Sequence, residues 1–291
     1  MVLTLHLGAH KTATTHLQAS LRAANGVLRE RGVHFAGPTI LRTQRCPLTL
    51  ALSESGTERQ AERARRHLAD VAEIYPELLI SDENIIGGTR RGYLFGRRGQ
   101  IYPQAAPRLR KLLTLLPNRP VDAVLSVRDP ASFLTSAFSL QLNRGMELEL
   151  DGYLNGRDPT AVDWTDLAAR ILSLPGIRRL TVWRYEDYRA LRPRILSELL
   201  PPGVAPLIPD PRPVNVGMSR QGYDWLTGRA MQDAEADLRE LAGQARTRFP
   251  RSAGHDPLVL LGHAQRRLSA RRYAQDVARL RELPGVIFLD P

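Results

Sequence analysis

Residues 5–18 read Leu5-His6-Leu7-Gly8-Ala9-His10-Lys11-Thr12-Ala13-Thr14-Thr15-His16-Leu17-Gln18. A short apolar strand runs into a turn of small residues carrying Lys11, and the turn opens into a helix that starts at Thr14 and Thr15. The first turn of a helix offers backbone N–H groups without intrahelical partners at the positive end of the dipole, which makes it a ready anion site. One lysine and the hydroxyls of Thr12, Thr14 and Thr15 around that turn make phosphate or sulfate the expected occupant.

Outward from this stretch, strands and helices alternate. Strands are predicted at Val2–Leu7, Leu78–Ser81, Val121–Val127, Arg179–Arg184 and Val286–Leu289 from apolar runs and alternation. Helical spacing predicts Thr14–Arg31 (stopped by Gly32), Glu58–Ile74, Leu109–Leu116, Ala131–Leu142, Trp164–Leu174 and Leu191–Leu200. Residues 86–104 read as a long surface loop and 145–162 as irregular. Proline crowds 201–213 into a rigid connector, and 219–283 is mostly helical. The pattern implies an α/β fold, a three-layer sandwich on a central parallel sheet, with 1–291 forming one domain whose 214–291 portion is helical. Ligands of such sheets bind beyond the carboxyl ends of the strands. That rule gathers the 8–16 turn, Asp82-Glu83, Arg128-Asp129 and Tyr185-Glu186 on one rim.

Composition removes several function classes. The 291 residues carry a net charge of +11, supplied by arginine because lysine occurs only at positions 11 and 111. The arginines are spread along the chain instead of forming one arm, so nucleic acid is not the expected partner. No apolar run reaches the roughly 18 residues of a membrane span. Lys11 interrupts the N-terminal apolar stretch, which argues against a secretory signal. The lone Cys46 excludes an intramolecular disulfide or a cysteine metal cluster. The expected location is the cytoplasm.

The loop fails the nucleotidase pattern G-x-x-x-x-G-K-[ST], because Ala13 and Thr14 stand where that motif has Gly-Lys. Lys11-Thr-Ala-Thr-Thr15 instead resembles the 5′-phosphosulfate loop of sulfotransferases that use 3′-phosphoadenylyl sulfate (PAPS), usually Lys-[Ser/Thr]-Gly-Thr-Thr. His10 before it and Leu17-Gln18 after it resemble the His-Lys-Thr-Gly-Thr-Thr form of bacterial members. Leu125-Ser-Val-Arg-Asp-Pro-Ala-Ser-Phe-Leu-Thr-Ser136 looks like the family's 3′-phosphate element, with Arg128 leaving a strand end and Ser136 eight residues on. Val182-Trp-Arg-Tyr-Glu-Asp-Tyr188 resembles the segment whose tyrosine lies near the adenine, here Tyr185. The matches span roughly residues 3–200.

This resemblance implies a P-loop-like sulfotransferase fold. It also implies sulfuryl transfer from PAPS to a hydroxyl or amine of an acceptor, a small molecule, carbohydrate or lipid, without a metal. The cofactor would rest on Lys11, Thr12, Ala13, Thr14, Thr15, Arg128, Ser136 and Tyr185. Lys11 would act in catalysis with Glu83 as the first-choice base and His10 as the second. Two departures stand out. Ala13 replaces the loop glycine, at a cost on the order of 1 kcal/mol if the position needs positive φ. The family's C-terminal Arg-Lys-Gly clamp has only the echo Arg220-Gln221-Gly222. His16 matches no family role, and His6 reads as a core histidine. Arg90, Arg91, Arg97 and Arg98 could meet an acidic acceptor, and the 219–283 helices could cover the site, form a homodimer or complete the core. A non-catalytic anion-binding protein, a P-loop-type nucleotide kinase and a basic nucleic-acid-binding protein are the alternatives.

Overall fold

The computed structural model describes residues 2–96, 100–212, 217–233 and 235–291. In chain order the elements are β1 (Val2–His6), α1 (Thr14–Ala23), α2 (Asn25–Glu30), β2 (Val33–Ala36), α3 (Pro38–Leu41), α4 (Leu48–Ala51), α5 (Glu58–Ile74) and β3 (Glu77–Ser81). There follow α6 (Arg91–Leu94), α7 (Ala105–Leu115), β4 (Val121–Val127), α8 (Pro130–Leu142), α9 (Leu150–Leu154), α10 (Trp164–Leu172), β5 (Ile177–Arg184) and α11 (Tyr188–Leu199). The chain closes with α12 (Arg220–Gln232), α13 (Leu238–Arg248), α14 (His263–Glu282) and β6 (Val286–Leu289).

The six strands form one sheet in the order β2-β3-β1-β4-β5-β6, and every pairing is parallel. Parallel strands need crossover helices, which cover both faces and make the strands apolar on both sides. β4 shows this, because all of its residues are buried. On one face Leu17, Leu21 and Leu28 of α1 and α2 pack with Leu191, Ile195 and Leu199 of α11 over Leu79, Val124 and Trp183. On the other, Leu3, Leu5, Ile80, Leu125 and Val182 meet α5, α7, α8, α10 and α14. Leu226, Ala242 and Ala245 of α12 and α13 belong to that same core, so the C-terminal helices help to complete it. The result is the three-layer α/β/α arrangement that the alternation predicts.

Three local readings change. The expected Thr14–Arg31 helix breaks at Ala24 into α1 and α2, where the poor helix formers Asn25 and Gly26 follow. Gly32 then turns the chain at φ 76°. A sixth strand, β2, joins the sheet edge; its four residues are too few for a periodicity signal. The 86–104 loop and the 145–162 segment each carry a short helix, α6 and α9.

Sheet order puts the loop after β1 at the centre. His6 stands level with Ser81 at the end of β3 and with Val124 of β4. The chain moves to one side of β1 for β2 and β3, then crosses to the other for β4. β1 is therefore the point where strand order reverses, the usual ligand crevice of an open parallel sheet.

Candidate functional site

The loop between β1 and α1 is held open by three left-handed residues: Gly8 at φ 42°, Lys11 at φ 65° and Ala13 at φ 64°. At Gly8 a side chain is excluded as well, since a Cβ would stand 2.5 Å from Thr14 Oγ1. Ala13 is the N-cap of α1 and supplies no capping side chain, and the first turn carries no acid. Its carbonyl accepts the N–H groups of His16 (3.0 Å) and Leu17 (3.1 Å). Among the described residues, the backbone N–H groups of residues 11–15 find no backbone acceptor. The left-handed residues and the bare cap thus leave a run of N–H groups without backbone acceptors at the positive end of a helix.

The cations near this row form no described salt bridge, although the Glu186 and Asp129 carboxylates act on Arg128 from further off. Lys11, Arg128 and Arg144 take part in no salt bridge among the described residues, although the chain forms many elsewhere. Burial lowers the Lys11 ammonium from its ordinary pKa, and the charges of Arg128 and Arg144 lower it further. Such crowding is costly unless an anion occupies the middle. Arg128 leaves β4 and donates from Nη1 to the Lys11 carbonyl at 2.6 Å. Its Nε donates to Ser132 Oγ at 2.9 Å, and its guanidinium stacks over the Tyr185 ring at 4.4 Å. Nη2 has no partner among the described residues, so one edge of the fork is free for an anion.

The expected threonine and serine donors behave unequally. Thr12 and Thr14 turn inward and donate from Oγ1 to the Ala9 carbonyl at 2.6 Å and 3.4 Å. Thr15 alone of the three is exposed, with its hydroxyl unpartnered among the described residues. Ser132 meets Arg128, whereas Ser136 makes no described hydrogen bond. Ser136 lies one turn beyond Ser132 on the same face of α8.

Glu83 opens the turn after β3, next to His10. Its Oε2 accepts from Gln18 Nε2 at 3.2 Å, and its Oε1 lies 3.6 Å from Arg42 Nη2. Gln18 also donates to the Ser81 carbonyl and hydroxyl. Asp82, not Glu83, caps the following turn by accepting the Asn84 N–H. Asp82 is fully buried and holds Arg42 in a two-point pair at 2.9 and 2.7 Å. His10 is pinned at both ring nitrogens: Nδ1 lies 2.9 Å from the Tyr102 hydroxyl and Nε2 3.3 Å from Asn84 Oδ1. Tyr102 also accepts the His10 backbone N–H. Burial lowers the His10 pKa; Glu83, Asn84 and Asp82 pull it back up and Arg144 pushes it down. A neutral ring with Nε2–H toward Asn84 satisfies every contact. His10 is therefore occupied as a brace for the loop, and Glu83 is the carboxylate of the pair with a less committed outline.

The remaining sequence candidates fall into place. His6 is buried against Ser81 Oγ at 2.7 Å, as a core histidine. His16, one residue past Thr15, clasps the proline-rich connector: Nε2 meets the Pro211 carbonyl at 2.8 Å and Nδ1 the Tyr188 hydroxyl at 2.8 Å. Arg220 pairs with Asp224 and the Val259 carbonyl on the surface, which gives it no described contact with the loop. Arg90 is exposed, Arg91 donates to the Gly152 carbonyl at 2.8 Å, and Arg97 and Arg98 lie outside the described residues. α14 braces the rim from behind. Ser269 donates to Asp129 and accepts from the Ala131 N–H, and Glu186 links the Asp129 N–H to the Tyr273 hydroxyl.

Sequence reasoning missed Arg42, Asn84, Tyr102, Ser132 and Arg144. Ser132 lies one turn before Ser136 and Asn84 directly follows Glu83, so both were within reach; Arg42, Tyr102 and Arg144 come from other parts of the chain. Among the described residues no helix is long and apolar enough to cross a membrane. Comparisons with family models, with curated protein sequences and with solved structures return no match.

Proposed function

We propose that this chain is a sulfotransferase that moves the sulfuryl group of PAPS to a hydroxyl or amine of an acceptor, with a carbohydrate or lipid as the expected class. The observation that carries the reading is the pair Lys11 and Arg128, neither in a salt bridge among the described residues, joined through the Lys11 carbonyl at the uncapped N-terminus of α1. A dianionic 5′-phosphosulfate supplies the charge this pair lacks, and the open N–H groups of residues 11–15 supply donors for its oxygens. The free edge of Arg128 and the Tyr185 ring stacked on it suit a second phosphate beside a purine.

In this reading PAPS brings the activated sulfuryl group and the protein positions it. Glu83 takes the proton of the acceptor hydroxyl as the new oxygen–sulfur bond forms. Lys11 and the loop N–H groups meet the charge left on the 5′-phosphate oxygen as its bond to sulfur breaks. Gln18 and Arg42 hold the Glu83 carboxylate in place, and His10 fixes the loop. Radiolabelled PAPS incubated with a panel of sugar, lipid, phenol and amine acceptors tests the activity. Turnover in the wild type that falls by about 100-fold or more in Glu83→Gln supports both the activity and the base. Turnover equal in the two proteins removes Glu83 from the mechanism.

The strained Ala13 favours one further reading, a nucleotide-binding protein on the same scaffold that transfers nothing. Binding of the product nucleotide without transfer to any acceptor of the panel selects it.

A further inference from the structure

Two acids stand beside Arg128 in the folded chain, and neither forms a described salt bridge with it. Asp129 follows it in sequence. Glu186 follows Tyr185, whose ring lies 4.4 Å from the guanidinium. Both carboxylates act on Arg128 from further off. A carboxylate bonds more strongly to the two-point fork of an arginine than to a neutral hydroxyl. The turn after β5 shows that preference, because Arg184 donates to both oxygens of Asp187 at 2.6 and 3.0 Å. What diverts Asp129 and Glu186 comes from α14. Ser269 is fully buried and donates to Asp129 Oδ2 at 2.8 Å, while Asp129 Oδ1 accepts the Ser132 N–H at 3.0 Å. Tyr273 is buried and donates to Glu186 Oε2 at 3.1 Å, while Glu186 Oε1 accepts the Asp129 N–H at 2.9 Å. All four carboxylate oxygens are thus occupied, and each acid is fixed by one hydroxyl of α14.

We propose that Ser269 and Tyr273 are positioning residues that keep Asp129 and Glu186 off Arg128, so that the Nη2 edge of its guanidinium stays open to a nucleotide phosphate. The ligand's identity rests on the sulfotransferase reading above. A carboxylate swung onto that edge would neutralise the arginine and compete with phosphate for the same N–H groups. The two hydroxyls carry no charge, so they hold the acids and leave the positive charge of Arg128 without a close partner. Ser269 lies 140 residues from Asp129 in sequence, and Tyr273 lies 87 from Glu186. The phosphate edge therefore takes shape only once α14 has docked on α8, where Ser269 also accepts the Ala131 N–H at 3.0 Å. This gives the C-terminal helix a part in binding besides its place in the core.

Calorimetry of 3′,5′-adenosine bisphosphate binding to the full chain and three variants tests the proposal: Tyr273→Phe, Glu186→Gln and the two together. Tyr273→Phe keeps the ring in the core and releases Glu186 Oε2, and its affinity is expected to be about 10-fold lower. Glu186→Gln keeps an oxygen for the Asp129 N–H but has no charge to bring to Arg128. Removing a negative charge near a bound anion strengthens binding in any background, so the coupling between the two positions is the quantity measured. Glu186→Gln is expected to return the Tyr273→Phe protein to within about 3-fold of wild type, and to change the wild type itself by less. With the wild type binding, an undiminished affinity in Tyr273→Phe, or a loss that Glu186→Gln leaves uncorrected, overturns the proposal and makes α14 a structural brace alone. A wild type that binds no nucleotide overturns the sulfotransferase reading and this one with it.

Discussion

Ala13 places a methyl group where the backbone is left-handed, at φ 64° and ψ 13°. A β-carbon in that region costs about 1–2 kcal/mol, and glycine returns part of the gain by loosening the unfolded chain, by about 0.4–1 kcal/mol. Ala13→Gly is therefore expected to stabilise the protein by about 0.5 kcal/mol in chemical denaturation. Gly8→Ala is expected to do the opposite and more strongly, because its new Cβ would collide with Thr14 Oγ1 at 2.5 Å. Equal effects of the two substitutions would show that the loop does not hold this backbone in solution. The residue types here were legible in the sequence, but their conformations were not. Lys-Thr-Ala-Thr-Thr announces an anion loop, while its two left-handed residues and the inward turn of Thr12 depend on the Ala9 carbonyl and the Arg128 guanidinium, which only the folded chain brings together.

At the scale of elements, α1 is fixed at its open end by residues that come late in the chain. His16 and Arg192 hold the 208–211 stretch through the Pro211, Pro209 and Ile208 carbonyls. Asp210 lies 3.2 Å from His16 and 3.3 Å from Arg192. His16→Ala removes two buried contacts and leaves the Tyr188 hydroxyl short of a partner. The expected loss is about 1–3 kcal/mol, with cleavage by proteases appearing in residues 201–212. A variant as resistant to proteolysis as the wild type would mean that the connector is held by its prolines alone. Proline content signalled the rigidity of this segment, but not its clasp on α1. Likewise the Arg128–Ser132 hydrogen bond was not legible in the spacing; it forms because Pro130 starts α8 directly and brings its first turn onto the strand end. The strand at Val33–Ala36 escaped notice because His34 interrupts an apolar run of only four residues.

Over the whole molecule, buried neutral histidines tie stability to pH. Burial lowers His6 and His34 from 6.5 to about 4. The unfolded chain therefore binds more protons than the native one between those values, and stability rises with pH across that window. The contribution is complete above pH 6.5 and is lost as pH falls toward 4, at most on the order of 3 kcal/mol per histidine. Urea unfolding free energies measured from pH 7 to 4 should fall steadily, and His6→Gln should flatten part of the decline. A flat profile would contradict the burial of these rings as neutral groups.

The same scale governs the central claim. Strand alternation made the parallel sheet legible, and the sheet brings the loop after β1, the end of β3 and the end of β4 to one rim, on which the proposed site draws Lys11, Glu83 and Arg128 from across more than a hundred residues of sequence. Calorimetry of 3′,5′-adenosine bisphosphate binding without magnesium tests this most directly. The account predicts one nucleotide bound per chain, with affinity reduced about 100-fold or more in Lys11→Ala and Arg128→Ala and little changed in Glu83→Gln. No binding to the wild type, or binding that appears only with ATP and magnesium, would contradict it.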